Sequence, residues 1–278
     1  MPKKLPRVIA AHDIAGYGKC ALSVVIPVLS ACGVEVCPLP TAFLSSDTSL
    51  PHFFMQDLSP QTESYLQSWE KLGLKADAVY SGFLGSALQM ESIASLPRRF
   101  GAGLTVVDPV MGDHGRVYKT YTKEMCEKMG ALCAEADIVT PNLTEACVLT
   151  GMAYPGVEAS AQFTHTLAEK IASLGCQKVV ITGIFRDRRL YNCLYENGNY
   201  YEIESPRHPF HMNGTGDLFA SVLVGGILTN HSFAESVSSA ARFVYYAMEQ
   251  SISYEDTPRR GVCFEPYLSL LAGGLFQE

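Results

Sequence analysis

The stretch Asn213-Gly214-Thr215-Gly216-Asp217 has residue types and spacing suited to chemistry on a phosphoryl group. Two glycines one residue apart let the backbone turn tightly and let a ligand come close to its amides. The uncharged run Leu218 to Asn230 that follows reads as a buried helix. The first N–H groups and the positive dipole end of such a helix favour negative charge. Charge that develops on a migrating phosphoryl group would be stabilised there. Asp217, in the first turn of the helix, is placed to accept the proton of an attacking hydroxyl, and the helix start is expected to keep it ionised. A carboxylate at a helix start is also common for the dipole alone, worth about 0.3–1 kcal/mol. Taken by itself, the turn leaves both readings open.

Two acidic loops strengthen the chemical one. Asp108-Pro109-Val110-Met111-Gly112-Asp113 comes directly after the β-branched run Leu104 to Val107. Mg²⁺ keeps several waters and takes one or two carboxylates plus substrate phosphates, so carboxylates at a strand end suit it. Thr140-Pro141-Asn142-Leu143-Thr144-Glu145 follows the next run and adds polar ligands that could hold water around a metal–phosphate complex. Other phosphate motifs are missing. Gly16-Tyr17-Gly18-Lys19 ends in Gly-Lys, but Asp13 stands where a Gly-x-x-x-x-Gly-Lys loop needs glycine. Gly214-x-Gly216 lacks the third glycine of the dinucleotide fingerprint, since residue 219 is Phe.

The elements that must position these groups can be read from the pattern. Short β-branched runs recur at Val8–Ala11, Val34–Val36, Ala78–Tyr80, Leu104–Val107, Ile138–Val139 and Val179–Ile181. Helix-length stretches lie between them, near 19–31, 60–73, 86–96, 121–134, 143–150 and 160–174. Strands alternating with helices predict an α/β fold in three layers, a mostly parallel central sheet with helices on both faces. Residues 189–203 read instead as a hairpin about a Glu-Asn-Gly-Asn turn, so the sheet is expected to turn antiparallel at one edge. Residues 214–229 and 233–248 then form two consecutive helices. With no repeat, linker or composition break, 1–278 reads as one domain. Ligands of open parallel sheets sit beyond the carboxyl ends of the strands. Polar residues there are His12-Asp13, Asp47-Thr48, Ser81-Gly82, the two acidic loops and Thr182-Gly183.

Composition removes several function classes. A chain of 278 residues, 47% hydrophobic and 18% charged, can build a sizeable core. Its 21 Lys and Arg against 28 Asp and Glu leave a net charge of −7, which argues against a nucleic-acid or anionic-membrane surface. The longest uncharged runs fall short of the roughly 18–20 apolar residues needed to span a bilayer. His12 and Asp13 also cut short any secretory signal. Nine cysteines at 20, 32, 37, 126, 133, 147, 176, 193 and 263 contain no Cys-x-x-Cys pair, which predicts reduced thiols in a cytoplasmic protein.

Taken in order along the chain, these motifs resemble the ribokinase superfamily, and more closely its pyridoxal (vitamin B6) kinase branch. Asp108-Pro-Val-Met-Gly-Asp113 and Thr140-Pro-Asn-Leu-Thr-Glu145, with Leu149-Thr150-Gly151 behind, look like the branch's signatures, and Gly214-Thr-Gly-Asp217 like the superfamily's catalytic one. The resemblance implies a ribokinase-like fold and Asp217 as catalytic base, with Gly214, Thr215 and Gly216 as an anion hole. It implies that Asp108, Asp113, Asn142 and Glu145 organise the phosphates and Mg²⁺, with Asp108, Asp113 and Glu145 reaching the metal through water. A monovalent cation such as K⁺ often accompanies them. Thr182, Met212 and Asn213 would lie near ATP, and a homodimer is common in the family. His12, Asp13, Asp47, Thr48 and Phe83 are the expected substrate contacts. There the resemblance loosens: alanine stands at 11 where a serine is frequent, Phe83 where tyrosine is common, and Asp47 where histidine often occurs. The implied activity is ATP-dependent phosphorylation of the 5′-hydroxymethyl group of a B6 vitamer. The alternatives are a hydroxymethylpyrimidine kinase and a non-catalytic vitamer-binding protein. Tyr65 and Trp69 read as core or dimer contacts, His208 and His211 as loop histidines, and Arg259-Arg260 as a solvated pair.

Overall fold

The computed structural model describes residues 4–48, 50–210, 212–254 and 261–273; His211, Arg259 and Arg260 lie outside the described residues. Its strands are β1 (Arg7–Ala15), β2 (Glu35–Leu44), β3 (Met55–Asp57), β4 (Ala78–Ser81), β5 (Leu104–Val107), β6 (Gly112–Asp113), β7 (Arg116–Val117), β8 (Ile138–Val139), β9 (Lys178–Arg186), β10 (Arg189–Glu196) and β11 (Asn199–Ser205). The helices are α1 (Leu22–Ala31), α2 (Ser59–Lys71), α3 (Ala87–Ala94), α4 (Leu96–Phe100), α5 (Lys123–Ala134), α6 (Leu143–Thr150), α7 (Ala161–Ala172), α8 (Thr215–Leu228), α9 (Phe233–Ser251) and α10 (Leu268–Gly273).

Nine strands form one sheet in the order β11-β10-β9-β8-β5-β4-β1-β2-β3. The six from β9 to β2 are parallel, and β10 and β11 return antiparallel at one end. Buried residues alternate faces along each strand, as a period of two requires. Val8, Ala10, Tyr80 and Val106 pack with α1, α8, α9 and α10, whereas Ile9, Ala11, Val79 and Val107 pack with α2 to α7. The three layers and the mainly parallel sheet agree with the pattern of alternating runs.

Three local features depart from it. The sheet is antiparallel at both edges, because β3 adds to β2 through Ala42–Asp57, Phe43–Gln56 and Leu44–Met55. A three-residue strand carries too little alternation to be seen in a sequence. Strand β2 itself runs through Pro38 and Pro40; β3 covers only its last three residues, so this edge asks for no proline N–H. Strand β1 continues to Ala15, which places His12 and Asp13 within the strand and not in a loop beyond it. Finally, β6 and β7 fold the Asp108 loop into a small hairpin, turned by His114 and Gly115 with φ of 49° and 75°. All nine cysteines are free thiols.

Candidate active site

Three segments meet at the carboxyl end of β1: the β1–α1 loop, the β2–β3 loop and the start of α8. Their contacts are tight. Gly16 N–H donates to the Leu44 carbonyl at 2.9 Å, and Asp47 N–H to the Tyr17 carbonyl at 2.9 Å. Gly214 caps α8 with φ 81°, and a Cβ there would lie 1.9 Å from the Lys19 carbonyl oxygen, so only glycine fits. Gly216 differs. It is exposed, and a Cβ would meet nothing within 4 Å, so the space above the first turn of α8 stays open to a ligand. The Thr215 hydroxyl turns back to donate to the Met212 carbonyl at 3.2 Å.

Asp217 lies in this first turn and is largely buried. Its Oδ2 accepts the Ala21 N–H at 2.8 Å, and its Oδ1 is 3.9 Å from Nδ1 of His12. Burial pushes its carboxyl up to about 6, with the Ala21 N–H opposing and Asp47 adding to the shift. Burial therefore outweighs the helix start, which from sequence alone predicts a fully ionised group.

Of the expected substrate residues, His12 and Asp13 are buried, Phe83 and Asp47 half-buried and Thr48 exposed. Burial, Asp217 and Asp47 together push the Asp13 carboxyl up to about 7. Asp47 Oδ2 lies 3.5 Å from the Asn213 amide nitrogen, and the Asp47 Cβ packs against Gly18. The structure thus gathers Asp13, Asp47, Asn213 and Asp217 at one place. Cys20 joins them: its thiol is pushed up by burial and by all three carboxylates. Neither Cys20 nor the Ala21 amide carries a motif in the sequence. The Phe83 ring packs 6.1 Å from that of Tyr121, and its carbonyl accepts the Thr41 hydroxyl.

The second cluster lies at the ends of β5 and β8. Asn142 caps α6 in a reciprocal box: its Oδ1 accepts the Glu145 N–H at 3.0 Å, while Glu145 Oε2 accepts the Asn142 N–H at 2.8 Å. Glu145 Oε1 accepts the Met111 N–H at 3.2 Å, and Asn142 Nδ2 donates to the Gly112 carbonyl at 2.8 Å. The start of α6 therefore holds the Asp108–Asp113 loop in place. Asp108 is buried and its carboxyl is pushed up to about 8 by burial and then by Asp217, with Thr140 opposing. Glu145 is pushed well above the carboxylate range by burial and then by Asp108. Asp113 lies at the rim, accepting the His114 N–H at 2.7 Å. Thr182 bridges to Asn142, with its N–H on the Pro141 carbonyl at 2.9 Å. Met212 is buried and Asn213 half-buried beside the start of α8. Among the described residues, no three His, Cys, Asp or Glu side chains close around a metal ion.

Tyr65 and Trp69 meet edge-on at 4.9 Å, and His208 lies against Glu249 at 3.5 Å.

Residues 39–259 match the family model described as phosphomethylpyrimidine kinase. The pyridoxal kinase PdxY of Histophilus somni is 29% identical over 256 residues, 87% of each chain. A candidate phosphomethylpyrimidine kinase from Bacteroides thetaiotaomicron, in an orthorhombic crystal form with pyridoxal, superposes with a TM-score of 0.91 at 34% identity, over 96% of each chain. Pyridoxal kinase from Lactobacillus plantarum superposes with a TM-score of 0.89 at 28% identity, over 96% of this chain and 97% of its own.

Proposed function

The chain belongs to the phosphomethylpyrimidine kinase family, with a ribokinase-like fold, and we propose that it is a pyridoxal kinase. It transfers the γ-phosphoryl group of ATP to the 5′-hydroxymethyl group of pyridoxal, pyridoxine or pyridoxamine. The observation that carries this reading is Asp217 beside the open space over Gly216, at the start of α8. Likeness to a protein crystallised with pyridoxal supports the choice of substrate.

In this mechanism Asp217 receives the proton of the attacking hydroxyl, and the amides of Gly214, Thr215 and Gly216 form the anion hole that receives the phosphoryl charge. A carboxyl pushed up to about 6 is still mostly ionised at neutral pH and basic enough to hold a proton as the new bond forms. Asp13, Asp47, Thr48 and Phe83 line the vitamer end. Thr182, Met212 and Asn213 stand on the nucleotide side.

Asp108 and Glu145, two buried carboxyls of which the second is raised further by the first, fit a divalent cation better than they fit an empty interior. They would hold Mg²⁺ through water, with Asn142 and Asp113 ordering that shell and a monovalent cation such as K⁺ nearby. Mg²⁺ would neutralise the phosphate oxygens and draw them into line. The chain acts as one domain over 1–278, in a cytoplasmic homodimer, a reading that the family resemblance supports. No described helix is long and apolar enough to cross a membrane.

The family model's description keeps a pyrimidine kinase as the second reading. ADP release with ATP and Mg²⁺ separates the two. The three B6 vitamers should each show a higher kcat/KM than hydroxymethylpyrimidine. A pyrimidine preference would overturn the substrate assignment, and silence with every acceptor would favour a vitamer-binding protein.

A further inference from the structure

Asp217 is flanked on two sides but bonded on one. Ala21 N–H holds Oδ2 at 2.8 Å, whereas His12 Nδ1 stops 3.9 Å short of Oδ1, beyond hydrogen-bonding range. His12 is fully buried, and neither ring nitrogen has a hydrogen-bond partner. Buried polar atoms are nearly always paired, because an unmet donor or acceptor loses its water for nothing. Packing alone does not call for histidine at this position. Val8, Ala10 and Ile14 point to the same face of β1 and are apolar, so leucine would fill the space without that cost.

The ring is also confined. Tyr80 meets it edge-on at 4.4 Å, with its own buried hydroxyl near Ser221. On the other side the ring lies over the bare Cα of Gly82, where a Cβ would come within 2.3 Å of Nδ1. Burial drives the imidazole down to about 3, so it is neutral at working pH, with one nitrogen protonated. A proton on Nδ1 faces Asp217.

We infer that His12 is a positioning residue for the base. Its Nδ1–H closes onto Asp217 Oδ1 when vitamer and nucleotide fill the site. Together with the Ala21 N–H, it fixes the plane of the carboxylate by one bond to each oxygen, so that a remaining lone pair is directed at the substrate hydroxyl. The inference rests on the reading of Asp217 as the base. Hydrogen bonds at catalytic groups are often long in the free enzyme and tighten in the complex. No proton changes hands at His12, and its enclosed ring acts only through Asp217.

Two substitutions test this. His12→Asn keeps an N–H donor near the place of Nδ1, and His12→Leu keeps bulk without one. The leucine variant should lose about 10- to 100-fold in kcat, the scale of a small misplacement of a reacting group, with both KM values within about threefold. Asparagine should restore most of the rate. Unchanged kcat in His12→Leu overturns the proposal, as does an equal loss in both variants with raised KM. Asp217→Asn, measured alongside, separates the two ideas. If it abolishes turnover while His12→Leu is harmless, positioning fails and the base stands; if it stays active, both fall. Should the leucine variant not fold, ¹⁵N NMR of histidine-labelled protein decides. An Nδ1–H signal that is absent from His12→Asn, and that moves when vitamer, Mg²⁺ and a non-hydrolysable ATP analogue are added, supports the proposal. An Nε2–H tautomer or an unmoved signal overturns it.

Discussion

Two effects compete for the proton at position 217. The helix start and the Ala21 N–H favour the carboxylate, burial opposes them, and burial wins, leaving the group near 6. A base must be ionised to act, and its ionised fraction falls as pH drops through that value. kcat/KM, which reports the free enzyme, should therefore fall at least about tenfold per pH unit well below pH 6; a kcat/KM profile flat from pH 5 to 7 would contradict the assignment. Asp217→Asn should lower kcat by about 10²–10⁴-fold and leave ATP affinity within a few-fold, measured by steady-state kinetics and nucleotide titration. The Gly-Thr-Gly-Asp spacing made this residue legible in the sequence, as the spacing of their loops did for Asp108, Asn142 and Glu145. The rest of its environment was not legible. Ala21 contributes a backbone amide from 196 residues away, which no side-chain pattern encodes. The depth of His12 depends on β1 running four residues past its β-branched start.

Helix starts are the elements on which this site is built, and the two glycines of the α8 turn separate folding from function. At Gly214 a side chain would strike the Lys19 carbonyl and the backbone is left-handed, so Gly214→Ala should impair folding and activity together. Gly216 lies within α8 beside open space. Alanine there suits the helix, by up to about 1 kcal/mol in an interior position, but sets a methyl group where a phosphate would approach. Gly216→Ala should keep or slightly raise the thermal midpoint while kcat/KM falls at least about tenfold. Equal activity in this variant would remove the anion hole from that face. Helix α6 makes the reciprocal case. Asn142→Ala removes both the cap and the bond to the Gly112 carbonyl. It should cost about 1–2 kcal/mol in urea unfolding, near the top of the range for a lost cap, and also weaken nucleotide binding.

Across the whole molecule, the alternation of β-branched runs and amphipathic stretches made the parallel sheet and its helical layers legible. Contacts that depend on the sheet already being formed, such as β3 on β2, were not. The assembled layers bring carboxyls from distant strands into one low-dielectric region, and this has a consequence for stability. Asp13 stands near 7 and Asp108 near 8, against about 3.9 in an unfolded chain. Each raised group binds its proton more tightly folded than unfolded, so the stability it lends is full below the unfolded value, falls as pH rises between the two values and is gone once pH has passed the folded one. His12, lowered to about 3, has the opposite sign, but its effect lies below about pH 6.5, where the unfolded imidazole takes up a proton. Between pH 6.5 and 8.5 only the carboxyls of this group count. The ligand-free protein should therefore lose stability across that window at a rate of up to about 1.4 kcal/mol per pH unit for each proton that the folded protein still holds and gives up on unfolding. Asp13→Asn should flatten the fall, which separates it from general repulsion in a chain of net charge −7. Mg²⁺ and a non-hydrolysable ATP analogue should raise the midpoint more at pH 8.5 than at pH 6.5, because a cation favours the ionised carboxyls. Urea midpoints that stay level or rise over this window would mean that these carboxyls are already ionised in the folded protein, and that the site is less deeply enclosed than its strands suggest.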